Sequence, residues 1–228
     1  MVAEGRLSGG VGFLVMTRLP GHRWADVRPG LTPSDSVAVV AEVGGLASRL
    51  HAVTGERYGA LPDAGDGWPT LSSWTAALLT RTLATFREAG GEPALAAGVE
   101  RLAAAAVLDD AMPSSFCHQD LNGGNILLRP VEGGPPVICG VVDFERAEWA
   151  DPMHDLALTV VHLMHEREDA LVPVLLEAHG GVDDAARPRL ELHLVLRMAA
   201  EWAWVAVDRP ADWRPKTAAL AAWIRDRV

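Results

Sequence analysis

A short polar loop in the middle of this 228-residue chain constrains its fold more than any other feature. The loop covers residues 117–125 and reads Cys-His-Gln-Asp-Leu-Asn-Gly-Gly-Asn, so it combines a carboxylate with carboxamides and two glycines. Gly123 and Gly124 carry no Cβ, which lets the backbone approach a bound group closely. A loop of this composition is typical of a binding site.

Two apolar segments follow the loop and predict a β-hairpin. Residues 126–128 are apolar, a Gly/Pro turn is expected at 133–136, and a second apolar segment at 137–142 leads to Asp143. Because a hairpin returns the chain to the place where it began, we expect Asp143 to lie beside the polar loop.

The side chains that this hairpin would bring together suit phosphoryl transfer. In that reaction a protein mainly positions the reactants and neutralises charge through a metal ion. Asp120 can take the proton of a hydroxyl group. Asn125 and Asp143 offer oxygen atoms of the hard kind that Mg²⁺ prefers.

Two other interpretations of these residues remain open at this point. Asp and Asn favour turns and helix starts, so the same residues could simply cap turns and open helices. Alternatively, two histidines and two carboxylates could bind a hydrolytic transition metal; these residues are His118, Asp120, Asp143 and His154. That second alternative leaves Asn125 and the hairpin unexplained.

Three motifs in order resemble those of one known superfamily. Residues 118–125 match His-x-Asp-x-x-x-x-Asn, residues 143–145 match Asp-Phe-x, and residues 151–157 read Asp-Pro-Met-His-Asp-Leu-Ala. In detail and spacing they are similar to the aminoglycoside phosphotransferase and choline kinase-like superfamily. No Ala-Pro-Glu segment follows Asp143, so a kinase that acts on proteins is not favoured.

The resemblance implies a fold and a reaction. The fold would be α+β and protein kinase-like, mainly a helical C-terminal lobe with a small β-hairpin. The reaction would transfer the γ-phosphate of ATP, with Mg²⁺, to a hydroxyl of a small molecule such as an antibiotic, an amino alcohol or a sugar.

The resemblance also implies roles for individual residues. Asp120 would act on the hydroxyl, while His118 and Asp155 would brace the loop. The Thr17 carbonyl and the Leu19 amide would bind the adenine at the hinge between two lobes.

The same resemblance predicts how the chain is divided. Residues 1–21 would be the last strand and hinge of an N-terminal lobe. Residues 22–228 would form the helical lobe, with a catalytic loop at 117–128 and a metal loop at 137–157. A complete kinase also needs a phosphate-covering loop and a lysine, but Lys216 is the only lysine here. We therefore expect weak or absent activity, and a catalytically inactive kinase-like binding or regulatory module is the alternative.

Composition restricts the partners and the compartment. A net charge of -10 argues against nucleic acid and against an anionic membrane surface, and it is compatible with a cationic small molecule. The two cysteines, Cys117 and Cys139, lie in apolar contexts and are expected to be free thiols. With no signal peptide and no long apolar run, we expect a cytoplasmic protein.

Apolar periodicity predicts that the rest of the chain is mostly helical. Ser34 is expected to cap the first long helix, and Asp151 followed by Pro152 to open another. Tryptophans near the C-terminus could line a substrate pocket or belong to the core. The remaining predicted helices cover 70–88, 93–108, 168–179, 185–207 and 216–227.

Overall fold

The computed structural model describes residues 2–61 and 67–228, which pack into two compact units. The first unit consists of Met1–Val39 and Gly123–Val142, and the second of Val40–Asn122 and Asp143–Val228. The fold mixes helices and sheets, as expected for an α+β protein. The strands are β1 (Ala3–Arg6), β2 (Gly12–Val15), β3 (His22–Arg23), β4 (Thr54–Gly55), β5 (Gly59–Ala60), β6 (Ser114–Cys117), β7 (Ile126–Val131), β8 (Gly134–Val141) and β9 (Glu148–Ala150). The α-helices are α1 (Trp24–Val27), α2 (Pro33–His51), α3 (Leu71–Glu88), α4 (Pro93–Ala105), α5 (Pro152–His165), α6 (Val172–His179), α7 (Arg187–Asp208) and α8 (Trp213–Arg225).

The first unit contains two antiparallel sheets. β1 pairs with β2, and β3, β7 and β8 form a second sheet in that order. The predicted hairpin is confirmed, because β7 pairs with β8 in a register that sets Ile126 opposite Val141. Ile126 and Leu128 are both buried, as alternate residues of a strand with one covered face should be.

The predicted turn of this hairpin is wrong in its extent. Gly133 has a φ of +72° and forms the turn, but Pro135 and Pro136 belong to β8. β8 lies at the edge of its sheet, and prolines are tolerated in edge strands because an N–H on the open side has no partner strand to bond.

The second unit contains a four-stranded antiparallel sheet and the main hydrophobic core. The strand order is β4, β6, β9 and β5, with Phe116 of β6 opposite Trp149 of β9. Helix α7 packs against α3, α5 and α8. The core includes Trp74, Phe86 and Leu192, each almost fully buried.

Capping residues define where several helices begin. Asp151 caps α5 by accepting a hydrogen bond from the Met153 amide at 3.0 Å, as predicted. The prediction that Ser34 caps α2 is wrong, because Ser34 lies inside that helix. Thr32 and Asp35 form the cap instead: the Asp35 amide donates to Thr32 Oγ1 and the Thr32 amide donates to the Asp35 carboxylate, each at 3.2 Å.

The other predicted helices are present with shifted ends. Helix α4 stops at Ala105, three residues early, and α6 starts at Val172 after a 3-10 turn over Asp169–Leu171. Pro173 in the first turn of α6 explains the late start, since its fixed φ and missing N–H suit a helix start better than a helix interior. Within the described residues, no helix is both long and apolar enough to cross a membrane.

Two neighbouring glycines of α2 give a matched test of packing in the second unit. A Cβ on Gly44 would overlap the backbone carbonyl of Leu175 and lie 2.9 Å from Ala178 Cβ, whereas a Cβ on Gly45 would meet only the tip of Arg49 at 3.6 Å. We expect Gly44→Ala to lower the free energy of unfolding by about 1–3 kcal/mol through overpacking. Gly45→Ala should raise it by about 0.5–1 kcal/mol through helix propensity. Urea denaturation measures both, and equal effects of the two variants would contradict this packing.

Candidate active site

The polar loop follows β6 and is held in an unusual backbone conformation. Gln119 has a φ of +65°, in the left-handed region that side chains other than glycine rarely adopt. Its amide donates a 2.8 Å hydrogen bond to Asp155 Oδ1. Further along, Thr159 Oγ1 donates to the carbonyl of Leu121 at 3.2 Å. The loop is therefore fastened to α5 at two points.

Asp155 is the main fastening point, and it is buried. Its Oδ2 accepts from the His118 amide at 2.9 Å and from His51 Nε2 at 3.0 Å, and its Oδ1 accepts from the Gln119 amide. Burial alone would raise the pKa of this carboxyl, but the hydrogen bonds and charge of His51, together with the two amides, outweigh it and hold the pKa below its usual value. Asp155 is consequently a buried carboxylate, with its charge balanced by donors.

His51 extends this arrangement to a third residue. Its Nδ1 lies 2.9 Å from His179 Nε2, while its Nε2 bonds Asp155. Burial, followed by the proximity of His51, lowers the pKa of His179 to about 4. His179 is therefore neutral at pH 7, and the tautomers of the two rings decide which of the two facing nitrogens donates. No local pattern in the sequence marks His51, since only the fold sets it beside Asp155.

Ring packing joins the second motif to the first. The imidazole of His118 is buried and lies 4.4 Å from the ring of Phe144, centroid to centroid. Asp143, just before Phe144, has a φ of +70° and is exposed. Gln119 lies in the loop of the first motif and Asp143 begins the second motif, and both have a left-handed backbone conformation. Such strained backbone clusters at functional sites.

Asp120 lies at the edge of a cavity of about 650 Å³ in the second unit. Its Oδ1 accepts a 2.8 Å hydrogen bond from Asn122 Nδ2 and lies 3.8 Å from His162 Nε2. Burial lowers the pKa of His162 despite the raising effect of Asp120. A neutral His162 ring does not neutralise the negative charge of Asp120.

Thr17 and Leu19 lie in the first unit and line a cleft of about 440 Å³. Leu127 and Val142 supply apolar walls to the same cleft. Gly21, at its border, has a φ of +98°, and a Cβ there would come within 2.6 Å of the Leu128 carbonyl. The chain therefore needs glycine at this turn.

The two predicted metal ligands belong to different units. Asn125 is in the first, where its carbonyl accepts a 3.0 Å hydrogen bond from the Val142 amide at the open end of the hairpin. Asp143 follows Val142 directly and belongs to the second. An amide oxygen and a carboxylate are a donor set that fits Mg²⁺ in its chemistry. Their pairing at one ion stays a prediction.

The transition-metal alternative is not supported by the described residues. His118 packs against Phe144, and His154 Nε2 accepts from Arg197 at 3.0 Å. In the described part of the chain, metal-ligating atoms converge only at His51, Cys117 and Asp155. Burial, then the charge of Asp155, raises the pKa of the Cys117 thiol, so the thiolate that a metal would need is disfavoured there.

Sequence reasoning missed several residues of the cavity beside Asp120. His162 lies seven positions after Asp155, two turns along α5, and that spacing was the available signal. Arg146 and Arg197 belong to none of the three motifs, so the sequence did not mark them as site residues. Of the tryptophans, Trp204 lines the cavity, whereas Trp202 packs on Phe86 at 4.7 Å.

Comparison with known families adds an independent finding. A sequence model described as "Phosphotransferase enzyme family" matches residues 2–193. No curated protein sequence matches the chain significantly.

Solved structures share the fold at low sequence identity. The GDP and kanamycin complex of APH(2")-IIIa has a TM-score of 0.66 and 17% identity, over 99% of this chain and 74% of that one. A thermostable mutant of aminoglycoside phosphotransferase APH(4)-Ia, with AMP-PNP and hygromycin B, has a TM-score of 0.65 and 16% identity, over 98% and 74%. A choline/ethanolamine kinase family protein from Mesorhizobium loti has a TM-score of 0.58 and 17% identity, over 97% and 70%. These likenesses show a protein kinase-like fold.

The hydrogen bonds of Asp155 generate a stability prediction. In Asp155→Asn an NH₂ group replaces one acceptor oxygen and faces buried donors, so we expect a loss of about 3 kcal/mol in the free energy of unfolding. Asp169→Asn removes an exposed carboxylate and should change it by less than about 0.5 kcal/mol. Urea titration at pH 7 measures both variants. A loss in Asp155→Asn no larger than in the control would contradict a stabilising role of these bonds.

The lowered pKa of Asp155 also predicts a pH dependence. Its contribution to stability is fully present above the unfolded-state pKa of about 3.9 and is lost as the pH falls through the lower pKa of the folded state. The stability difference between wild type and Asp155→Asn should therefore shrink below about pH 4. Parallel urea titrations from pH 3 to pH 7 test this, and a difference that grows toward low pH would overturn it.

Proposed function

Since this chain belongs to the phosphotransferase enzyme family, we propose that it transfers the γ-phosphate of ATP to a hydroxyl group of a small molecule. One observation carries the proposal: the loop that bears Asp120 is fastened to α5 through Asp155 and opens onto a cavity of about 650 Å³. A volume of this order suits a small-molecule substrate.

Asp120 is proposed to orient the acceptor hydroxyl and to take its proton. A carboxylate has about four lone-pair positions, so the hydrogen bond from Asn122 does not prevent it from accepting another. His118 and Asp155 are proposed as positioning residues, because their bonds and ring contacts hold the backbone on either side of Gln119. Phosphoryl transfer depends mainly on such positioning and on electrostatic stabilisation.

The cleft in the first unit is proposed to bind the adenine of ATP. Thr17 and Leu19 offer backbone groups along one side, and Leu127 and Val142 offer apolar surface for a flat ring. Two structural neighbours were solved with a nucleotide, one with GDP and one with AMP-PNP, which supports a nucleotide substrate. In this proposal, residues 1–21 correspond to the last strand and hinge of an N-terminal kinase lobe, and residues 22–228 to the helical lobe.

Asn125 and Asp143 are proposed to hold Mg²⁺. When bound, such an ion neutralises the developing charge on the phosphates. The protein's own part is to present an amide and a carboxylate oxygen at the two ends of one hairpin, which the hydrogen bond between the Val142 amide and the Asn125 carbonyl closes.

The family leaves the acceptor open among antibiotics, amino alcohols and sugars. The neighbours that were solved with kanamycin and with hygromycin B bind aminoglycosides, and antibiotic resistance is one proposal that they support.

Removal of the proposed base tests the function. With Mg²⁺ and γ-labelled ATP, we expect Asp120→Asn to lower the rate of transfer to an accepted hydroxyl compound by about 10²–10⁴-fold, the usual range for a general base. Nucleotide binding, measured as a rise in melting temperature, should be unchanged in this variant, because the cleft of Thr17 and Leu19 is intact. Asp184→Asn, an exposed carboxylate, serves as the control. An Asp120→Asn enzyme as fast as wild type would overturn the proposal.

A further inference from the structure

A second cavity adjoins the cavity of Asp120 within the second unit. It has a volume of about 360 Å³ and shares Arg146, Arg197 and Ala200 with that cavity. Gln119, which directly precedes Asp120, also lines it. We call it the arginine pocket, because Arg81 of α3, Arg146 of the 3-10 turn after Asp143 and Arg197 of α7 all border it.

The charge of the arginine pocket is opposite to that of the whole chain. Glu148 is its only carboxylate among the lining residues, against three arginines. Burial, only partly offset by Arg197 and Arg81, raises the pKa of Glu148. Among the described residues, none of the three arginines forms an ion pair with a carboxylate. In a chain with a net charge of -10, unpaired arginines gathered at one pocket favour an anion.

The hydrogen bonds of the pocket leave donors without acceptors. Arg197 Nη2 donates to Gln119 Oε1 and to His154 Nε2, which uses the acceptor atom of each side chain. Burial, followed by the nearby charge of Arg197, lowers the pKa of His154, so this ring is neutral and carries its proton on Nδ1.

Three buried groups then have no partner within the described residues: Gln119 Nε2, His154 Nδ1 and Arg197 Nε. All three are donors, and Gln119 and His154 are only 5% and 4% exposed. Buried donors that lack an acceptor are unfavourable, so a ligand rich in acceptor oxygens would stabilise this pocket. Carboxylates and phosphates are such ligands, and guanidinium groups bind both through paired hydrogen bonds.

We propose that the acceptor substrate is a small hydroxyl compound that also carries a carboxylate or phosphate group, which the arginine pocket binds. The inference rests on the proposed function, because it assigns Asp120 to the hydroxyl of the same molecule. With the anionic group near Arg146 and Arg197, the rest of the molecule extends into the cavity of Asp120. This assignment departs from the expectation of a cationic substrate, since a polycation would meet three arginines there.

Binding of matched small compounds tests the pocket without requiring activity. Calorimetric titration of the full chain in phosphate-free buffer would use glycerate, glycerol 3-phosphate, glycerol and kanamycin. We expect at least one of the two anions to bind about tenfold or more tightly than neutral glycerol, the effect of one added charge-assisted hydrogen bond. The better of the two anions identifies whether the recognised group is a carboxylate or a phosphate. Kanamycin binding as tight as that of either anion would overturn the proposal.

Variants of the exposed arginines assign the binding to this pocket. Arg81→Gln and Arg146→Gln should each weaken anion binding about tenfold, while Arg214→Gln, which removes an equal charge from an exposed site beside Trp213, should leave it unchanged. Arg81 and Arg146 are exposed, so neither change removes a core side chain, and an unchanged melting temperature verifies the fold. Equal loss in all three variants would mean non-specific attraction and would overturn the assignment.

Transfer assays separate this inference from the proposed function. Anion binding that depends on Arg81 and Arg146, with no phosphoryl transfer from ATP to any compound, would leave the pocket in place and refute the proposed function. Transfer to kanamycin, with neither anion bound, would support the function and refute the anionic acceptor. Transfer to the bound anion that is lost in Asp120→Asn supports both.

Discussion

The buried carboxylate of Asp155 is the constraint on which the rest of the candidate site depends. A negative charge in the interior is unfavourable unless several donors surround it. The fold meets that requirement with two consecutive backbone amides, of His118 and Gln119, and with one imidazole, of His51. Two of these donors are backbone amides of the polar loop itself. The hydrogen bonds that stabilise the charge of Asp155 therefore also fix the conformation of the loop.

The conformation of the loop follows from this. To present its amide to Asp155, Gln119 occupies a left-handed conformation, and the next residue, Asp120, is then directed toward the cavity that it lines. Phe144 covers the His118 ring and ties the second motif to the same place. The third motif supplies Asp155 and, at the start of α5, the capping carboxylate of Asp151. In the second unit, residues from all three motifs thus form one connected set of contacts around a single charge.

Electrostatics around Asp120 are local rather than global. The net charge of -10 describes the surface as a whole, but Arg81, Arg146 and Arg197 gather at a pocket next to the proposed base. Charges at the surface are screened over about 10 Å, whereas a partly buried charge such as that of Arg197 is screened much less. A ligand in that pocket therefore responds to nearby guanidinium groups and to unpartnered donors more than to the overall charge.

Motifs and local patterns in the sequence were enough to predict the fold class, the hairpin that follows the polar loop and the opening of α5 at Asp151. Each of these features depends on residues that are close together in the sequence: alternating apolar residues in strands, capping residues at helix starts, and the spacing of the motifs. Helix ends were less predictable, because Pro173 and the Thr32 cap compete with the apolar periodicity. Long-range packing alone sets His51 against Asp155 and His179 against His51, and brings three arginines from separate segments to one pocket. Periodicity identifies the face of a helix that is buried, but the partner of that face is set by long-range packing, and no local pattern encodes it.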